Sequence, residues 1–290
     1  MLFQFCIDKR FQSNITHEIE LFSSNGGRVR REIRVLIVEE DPFAINWMAL
    51  ILARDWRTQV TGEALSIADT LELIRNSKER IDLLLLDADL ATPSGMLKLK
   101  DGLKSHRETR VLLVGNSASL ATWKGANQNP LLVGYILKEE IRFSLAWAAD
   151  FATDGHWVAT PAVQDLASSQ GMHLPEGWLV MDGRRQISNF TQHETDVARL
   201  ALIFSMERRE LADELSISDD WGYGLVATLY KKLGLEELLT GEVEASTYLG
   251  SHPAIKERLK AILAGLNHSK KAKDLETLAF HLLTMPELLN

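Results

Sequence analysis

The sequence contains a single cysteine, Cys6, among 290 residues. One thiol cannot form an intramolecular disulfide or a zinc cluster of cysteines, so we expect a reducing compartment. No apolar run approaches the roughly 18 residues that a membrane-spanning helix needs. The opening Met1–Ile7 has no basic residue before its apolar stretch and no small-residue cleavage site, which argues against a secretory signal. These absences predict a cytoplasmic protein with no membrane partner.

The composition has no strong bias. Hydrophobic residues make up 46% and charged residues 25% of the chain, as in ordinary globular proteins. The length leaves room for roughly two domains. Positive charge is the scarcer sign, because the net charge is -8, and this disfavours loose attraction to nucleic acid.

Short apolar runs begin after an N-terminal extension, residues 1–32, that shows no clear periodicity. The runs alternate with stretches of helical spacing, and such runs are typical of strands buried on both faces of a parallel sheet. The pattern predicts a doubly wound, five-stranded parallel α/β domain over residues 33–155. The predicted strands centre on Val35–Val38, Gln59–Thr61, Leu83–Leu86, Val111–Val114 and Tyr135–Leu137.

The second half of the chain lacks clear strand signals. Residues 156–189 contain Pro161, Pro175 and several glycines, which predicts a linker. Apolar residues at helical spacing follow over 190–240 and again over 241–290, so we expect an all-α domain and a helical C-terminal extension. In the extension, the stripe formed by Ile255, Leu259, Ile262, Leu263 and Leu266 suits a core-facing helix or a dimer contact.

Charged residues follow three of the predicted strands. Glu39 and Glu40 end the first strand, Asp87 ends the third, and Lys138 follows the fifth. Ligands bind at the carboxyl ends of the strands in an open parallel sheet, so these side chains should meet there. Paired carboxylates suit Mg²⁺, and a lysine beside them can bind a phosphoryl oxygen. The pattern predicts carboxylate attack on a phosphoryl group; solvated loop carboxylates are the alternative.

The same residues resemble a response-regulator receiver domain, which has a flavodoxin-like fold. The matching segments are Val38–Pro42, Leu86–Leu90 with Gly95 eight residues after Asp87, and Gly134–Lys138, with Lys138 51 residues after Asp87. The resemblance implies that Asp87 is the phosphoacceptor and that Lys138 pairs with the phosphoryl group.

The resemblance also implies a Mg²⁺ cofactor. Glu39, Glu40 and Asp87 would bind the metal through carboxylates, and Asp89 through its backbone carbonyl. Tyr135 would be the aromatic residue that moves on activation, although simple packing against the sheet also explains it.

Three positions depart from the receiver pattern. Gly115 stands where the family has a serine or threonine that binds the phosphoryl oxygen, and Ser117 is the nearest substitute. Glu40 replaces an aspartate, and Ala91 replaces a proline. Phosphorylation of Asp87, where it occurs, is therefore expected to be poorly transmitted to the rest of the protein.

The segments that follow resemble the NarL/FixJ class, with a LuxR-type helix-turn-helix domain. Gly155–Val163 is similar to the segment that closes its receivers, and Phe190–Glu194 to the opening of its helix-turn-helix. Glu210–Ser218 and Lys231–Gly234 match further motifs of that domain. Thr191 and Glu194 have the spacing of a capping box.

The predicted reading helix departs from this pattern, because Asp219–Leu225 begins with two aspartates and contains two glycines. Phe190–Gly234 holds five basic and eight acidic residues, a net charge of -3, whereas DNA readers normally present a basic face. The remaining candidates for phosphate contacts are Arg208, Arg209, Lys231 and Lys232.

Two functions are consistent with these features. The first is a non-enzymatic response regulator in a phosphorelay. It would receive a phosphoryl group from a sensor histidine kinase or another phosphodonor and control transcription as a DNA-binding homodimer. The alternative is a degenerate regulator, a pseudo-receiver that acts through protein–protein contacts without binding DNA.

Overall fold

The structure is a computed structural model. It describes residues 32–77, 79–122, 129–172, 175–187, 190–191, 194–195, 197–199, 228–240, 252–266 and 271–290. These described residues all belong to one compact unit. Within the described ranges, no helix is both long and apolar enough to cross a membrane.

Strands and helices alternate through the first half of the chain. The strands are β1 (Ile33–Val38), β2 (Thr58–Ala64), β3 (Leu83–Asp87), β4 (Arg110–Gly115), β5 (Leu132–Leu137), β6 (Val158–Ala159), β7 (Leu179–Asp182) and β8 (Glu287–Leu288). The α-helices with defined limits are α1 (Pro42–Arg54), α2 (Ile67–Asn76), α3 (Pro93–Gly102), α4 (Lys138–Ile141), α5 (Leu145–Thr153), α6 (Pro161–Ser169), α7 (Leu235–Thr240), α8 (Pro253–Gly265) and α9 (Lys271–Thr284).

The strands form one sheet in the order β2-β1-β3-β4-β5-β6-β7-β8. Neighbouring strands from β2 to β7 are parallel, and only β8 runs antiparallel, to β7. The predicted five-stranded, doubly wound parallel sheet is therefore confirmed for β1 to β5. Its β2-β1-β3-β4-β5 order is that of flavodoxin-like folds. Two apolar cores cover the faces, and β3 is buried over its whole length.

Residues 156–189, predicted as a linker, instead extend the sheet through β6, α6 and β7. The close approach of β6 to β5 requires Gly134, because a Cβ on that residue would lie 2.3 Å from the carbonyl oxygen of Val158. The sequence was misleading here because β6 has two residues and β7 four, too few to show a periodicity. Pro161, which suggested a loop, begins α6 at a position that tolerates proline.

The C-terminal helices pack against the α/β core. The side chains of Ile255, Leu259 and Ile262 on α8 are buried in the same core as α1 and α5, which confirms the predicted core-facing stripe. On α9, Glu276 forms an ion pair of 2.7 Å with Arg54. The hydroxyl of Thr284 accepts a hydrogen bond of 3.3 Å from the indole of Trp147. The α5 helix is consequently buried around most of its circumference.

Only the ends of the predicted helix-turn-helix region lie within the described residues. Thr191 caps a helical segment: its hydroxyl accepts from the backbone N–H of Glu194, whose carboxylate accepts from the N–H of Thr191. This is the predicted capping box. Residues 228–232 are helical and precede α7. These residues belong to the end of the predicted reading helix, whereas its N-terminal half, Asp219–Leu225, falls outside the described residues.

Candidate functional site

Three charged side chains meet at the carboxyl edge of the sheet. Glu39 follows β1, Asp87 ends the adjacent β3, and Lys138 begins α4 directly after β5. The ammonium nitrogen of Lys138 lies 2.6 Å from Oε2 of Glu39 and 2.9 Å from Oδ2 of Asp87. Both carboxylates are almost completely buried, and the lysine is partly exposed. The parallel strands therefore bring together the core of the predicted site.

Backbone amides hold both carboxylates in place. The N–H of Asp41 donates to Oε1 of Glu39 over 3.1 Å, and the N–H of Asp89 donates to Oδ1 of Asp87 over 2.7 Å. Each carboxylate thus has one oxygen bound by its own loop and one directed at Lys138. This geometry fixes the orientation of the Asp87 carboxylate, with Oδ2 beside the Lys138 ammonium.

The two carboxylates influence each other's ionisation. Burial and the neighbouring Asp87 raise the pKa of Glu39. Burial also acts to raise the pKa of Asp87, but hydrogen bonds with Glu39, Lys138 and the N–H of Asp89 outweigh it and hold that pKa below the usual value. In the same way, hydrogen bonds to both carboxylates raise the pKa of Lys138 despite its partial burial. Asp87 therefore stays ionised, as a nucleophile requires.

The other two predicted metal ligands, Glu40 and Asp89, do not contribute a buried side chain, although Asp89 was predicted to bind through its backbone carbonyl and its loop adjoins Asp87. The side chains of Glu40 and Asp89 are exposed. The carboxylate of Asp41 accepts from the N–H of Phe43 over 2.9 Å and caps α1. Within the described part of the chain, no group of three or more metal-binding side chains is present. Two carboxylates nevertheless suit Mg²⁺, which keeps several of its waters, so Glu39 and Asp87 fit as its protein ligands.

Tyr135 points into the interior beside Gly115. Its side chain is completely buried, and its hydroxyl donates a hydrogen bond of 2.7 Å to the carbonyl of Ser117. A Cβ on Gly115 would lie 3.1 Å from that hydroxyl. The structure therefore places the ring in the space that a side chain at position 115 would use, and Ser117 contributes its carbonyl oxygen to this contact.

The predicted nucleic-acid contacts are only partly described. Lys231 and Lys232 are both exposed, and the ammonium of Lys232 forms an ion pair of 2.5 Å with Glu194 and lies 5.7 Å from the ring centroid of Phe190. Arg208 and Arg209 lie outside the described residues. Of the two lysines, Lys231 is the better placed to meet a phosphate.

Sequence reasoning did not identify the residues that support Lys138 from behind. Glu140 is buried and contacts Ala162, Gly183 and Arg184, all from the segment that had been predicted as a linker. The sequence shows two adjacent glutamates, Glu139 and Glu140, but it does not show that Glu139 is exposed and Glu140 is buried.

Together, the fold and the site define a receiver-like α/β domain with an extended sheet. No protein-family profile and no curated protein matches this sequence. Several solved structures of response regulators resemble it. RcsB from Salmonella enterica serovar Typhimurium, bound to promoter P1flhDC, is 16% identical with a TM-score of 0.42, over 70% of this chain and 93% of that one.

Two further structures show a similar level of likeness. The response regulator ChrA of a heme-sensing two-component system is 21% identical with a TM-score of 0.36, over 70% of this chain and 90% of that one. The receiver domain of the NarL response regulator from Mycobacterium tuberculosis is 24% identical with a TM-score of 0.36, over 43% of this chain and 98% of that one. At these identities and TM-scores, the likeness does not assign a function to this chain.

Proposed function

We propose that this chain is a response regulator in which Asp87 accepts a phosphoryl group. The observation that supports this most directly is the convergence of Asp87, Glu39 and Lys138, with the lysine ammonium 2.9 Å from the Asp87 carboxylate. A structural ion pair alone would need one carboxylate, whereas this site buries two around one lysine. The surplus of negative charge suits a site that also takes a cation and a phosphoryl group.

The reaction is a displacement at phosphorus. Oδ2 of Asp87 attacks the phosphoryl group of a phosphohistidine or of a small phosphodonor, forming a P–O bond as the bond to the donor breaks. When bound, Mg²⁺ held by Glu39 and Asp87 would neutralise charge on the phosphoryl oxygens. Lys138 binds one phosphoryl oxygen as a point charge, and the N–H of Asp89 keeps the attacking carboxylate oriented.

The output in this proposal is transcriptional control by a homodimer. A sensor histidine kinase or another phosphodonor supplies the phosphoryl group, and Arg208, Arg209, Lys231 and Lys232 contact DNA phosphates. The second candidate is a regulator that acts through protein contacts alone. It is favoured by Gly115, which has no side chain to contact the phosphoryl group, and by Tyr135, which fills the space beside it.

The proposal is tested by mass spectrometry of the full chain incubated with acetyl phosphate and Mg²⁺. We expect one added phosphoryl group that survives acid and is lost in base, as acyl phosphates are. Asp87→Asn should abolish it. The matched control is Asp101→Asn, which changes an exposed aspartate on α3 and should leave the modification intact. An unmodified wild-type chain at saturating donor would favour the second candidate.

A further inference from the structure

The segment that carries Lys138 is a single short helix. α4 spans four residues and begins at Lys138 itself. Just before it, the N–H of Leu137 donates a hydrogen bond of 3.1 Å to the buried hydroxyl of Thr160, which follows β6. So short a helix has little stability of its own, and its orientation depends on the groups that contact it.

The contacts of Glu140 come from the β6–α6–β7 extension. One carboxylate oxygen, Oε2, accepts a hydrogen bond of 3.0 Å from the N–H of Ala162 in the first turn of α6. The other, Oε1, lies 3.3 Å from the guanidinium of Arg184. The backbone carbonyl of Glu140 accepts from the N–H of Gly183 over 2.8 Å. Glu140 therefore links the helix of Lys138 to two added elements of the sheet.

The residues after β7 are shaped to fit α4. Arg184 is held by a bidentate pair with Asp182, with contacts of 2.8 and 2.9 Å. Gly183 packs so closely that a Cβ there would lie 2.0 Å from the carbonyl oxygen of Ile141, so no other residue fits without movement. The fit is specific to the end of α4.

The backbone at the end of α4 has an unusual conformation. Arg142 has a φ of 43° and a ψ of -116°, and it is the one non-glycine residue with a positive φ among those the structure describes. Such a conformation persists only where the surroundings impose it. The orientation of α4 is thus set by its contacts with the extension and not by its own backbone preference.

We infer that Glu140 is a positioning residue for Lys138. Held by Arg184 and by the first turn of α6, it fixes the helix from which the Lys138 side chain reaches Asp87, so that the β6–α6–β7 extension completes the phosphoacceptor site. The chemical consequence rests on the proposed function, whereas the positioning itself does not. A lysine has a flexible four-carbon stem, so the place of its ammonium group depends on how firmly its backbone is held.

The first measurement is the rate at which the full chain acquires the aspartyl phosphate from acetyl phosphate and Mg²⁺. Glu140→Ala should slow the reaction about tenfold, since a displacement of about 1 Å at a catalytic group has effects of this order or larger. Glu140→Gln, which keeps an acceptor for Ala162, should restore part of the rate. The matched control, Glu139→Ala, changes the exposed neighbour on the same helix and should leave the rate unchanged.

A merely structural role is distinguished by repeating Glu140→Ala in a Lys138→Gln background. If Glu140 acts through Lys138, its loss should slow the double variant no further. An equal slowing in both backgrounds would overturn the inference. If Glu140→Ala proves unfolded by circular dichroism, Arg184→Ala takes its place with the same expectation.

The second measurement does not depend on phosphorylation. Nuclear magnetic resonance of ¹⁵N-labelled lysine side chains, with the Lys138 ammonium signal assigned by Lys138→Arg, reports directly on its ion pairs. The signal should shift or broaden in Glu140→Ala and stay in place in Glu139→Ala. A wild-type chain that accepts no phosphoryl group would refute the proposed function, while this spectrum still decides the positioning. An unchanged Lys138 signal in Glu140→Ala would refute the positioning alone.

Discussion

Tyr135 and Gly115 are complementary in shape. A Cβ on Gly115 would lie 3.1 Å from both the hydroxyl oxygen and Cε2 of Tyr135, and 3.0 Å from Cβ of Ala88. The tyrosine is fully buried, and its hydroxyl is tied to the carbonyl of Ser117. Burial raises the pKa of Tyr135, so the hydroxyl remains a donor. The glycine that departs from the receiver pattern is thus what allows the aromatic ring to lie inside.

Gly115→Ala tests this complementarity. Because the added methyl group is closer to its neighbours than most Cβ contacts, we expect a loss of about 1–3 kcal/mol in the free energy of unfolding, the usual cost of overpacking. The measurement is urea denaturation followed by circular dichroism. In a Tyr135→Ala background, the same substitution should cost clearly less, because the ring it meets is gone.

Equal costs in both backgrounds would show that the ring does not oppose a side chain at position 115.

Gly115→Thr places a larger side chain against the same ring. The sequence predicts that a threonine hydroxyl would improve signal transmission. The structure adds a condition, since the ring of Tyr135 must leave its place before that hydroxyl can face Asp87.

The first five strands could be predicted because most of them contain enough apolar residues in their own sequence to mark them as buried strands. Leu83–Leu86 is apolar at every position, and all four side chains are buried. The strands β6 and β7 could not be, because their pairing depends on the absence of a side chain at Gly134, 24 residues before Val158. A glycine inside a strand signals a close approach but does not identify what approaches.

Gly134→Ala tests the extended sheet. The new Cβ would lie 2.3 Å from the carbonyl oxygen of Val158, a backbone atom that cannot rotate away. We expect a severe loss of stability and faster amide hydrogen exchange in β6 and β7 than in β3. The control is Gly102→Ala, where the closest atom belongs to the flexible end of the Leu71 side chain. Similar exchange profiles for the two variants would contradict the close packing of β5 on β6.

A second ionic cluster provides a pH prediction. Asp55 is fully buried and paired with Arg57 at 2.7 Å, and its Oδ2 lies 3.5 Å from Nδ1 of His281 on α9. Burial alone would raise the pKa of Asp55, but Arg57 and His281 outweigh this effect and lower it to about 2. The folded state therefore favours the ionised carboxylate.

This contribution to stability is complete above the unfolded pKa of about 4 and is lost as the pH falls towards the folded value. The difference between the two pKa values corresponds to about 2–3 kcal/mol. We expect the free energy of unfolding of Asp55→Asn, measured in urea from pH 5 to pH 3, to vary less with pH than that of the wild type. Asp101→Asn, which changes an exposed aspartate, should follow the wild type. A pH dependence in Asp55→Asn as steep as in the wild type would contradict the assignment.

The meeting of three charged side chains at the candidate site was also predictable, but the contacts that support it were not. Glu39, Asp87 and Lys138 meet because the carboxyl ends of parallel strands share one edge of the sheet. The exposure of Glu40 could not be foreseen, because it depends on how the loop turns after β1. Arg184 lies 46 residues after Lys138, so its contact with Glu140 arises only from the folding of the extension onto α4.

The last prediction concerns DNA binding in the proposed function. Lys231 and Lys232 are both exposed, but Lys232 is already paired with Glu194, and its hydrogen bond lowers the pKa of Glu194. Lys231→Ala should weaken binding to genomic DNA fragments and reduce the slope of log affinity against log salt by about one, the value for one phosphate contact. Lys232→Ala should have a smaller effect, and the double substitution should abolish binding.

Glu194→Gln is the decisive variant, because glutamine can still complete the capping box with Thr191 while releasing Lys232. If the ion pair withholds this lysine from DNA, the variant should bind more tightly than the wild type, with a steeper salt dependence. Fluorescence anisotropy at several salt concentrations, with and without acetyl phosphate, measures both quantities. Unchanged binding in Glu194→Gln, together with equal losses in Lys231→Ala and Lys232→Ala, would show that both lysines reach phosphates despite the ion pair.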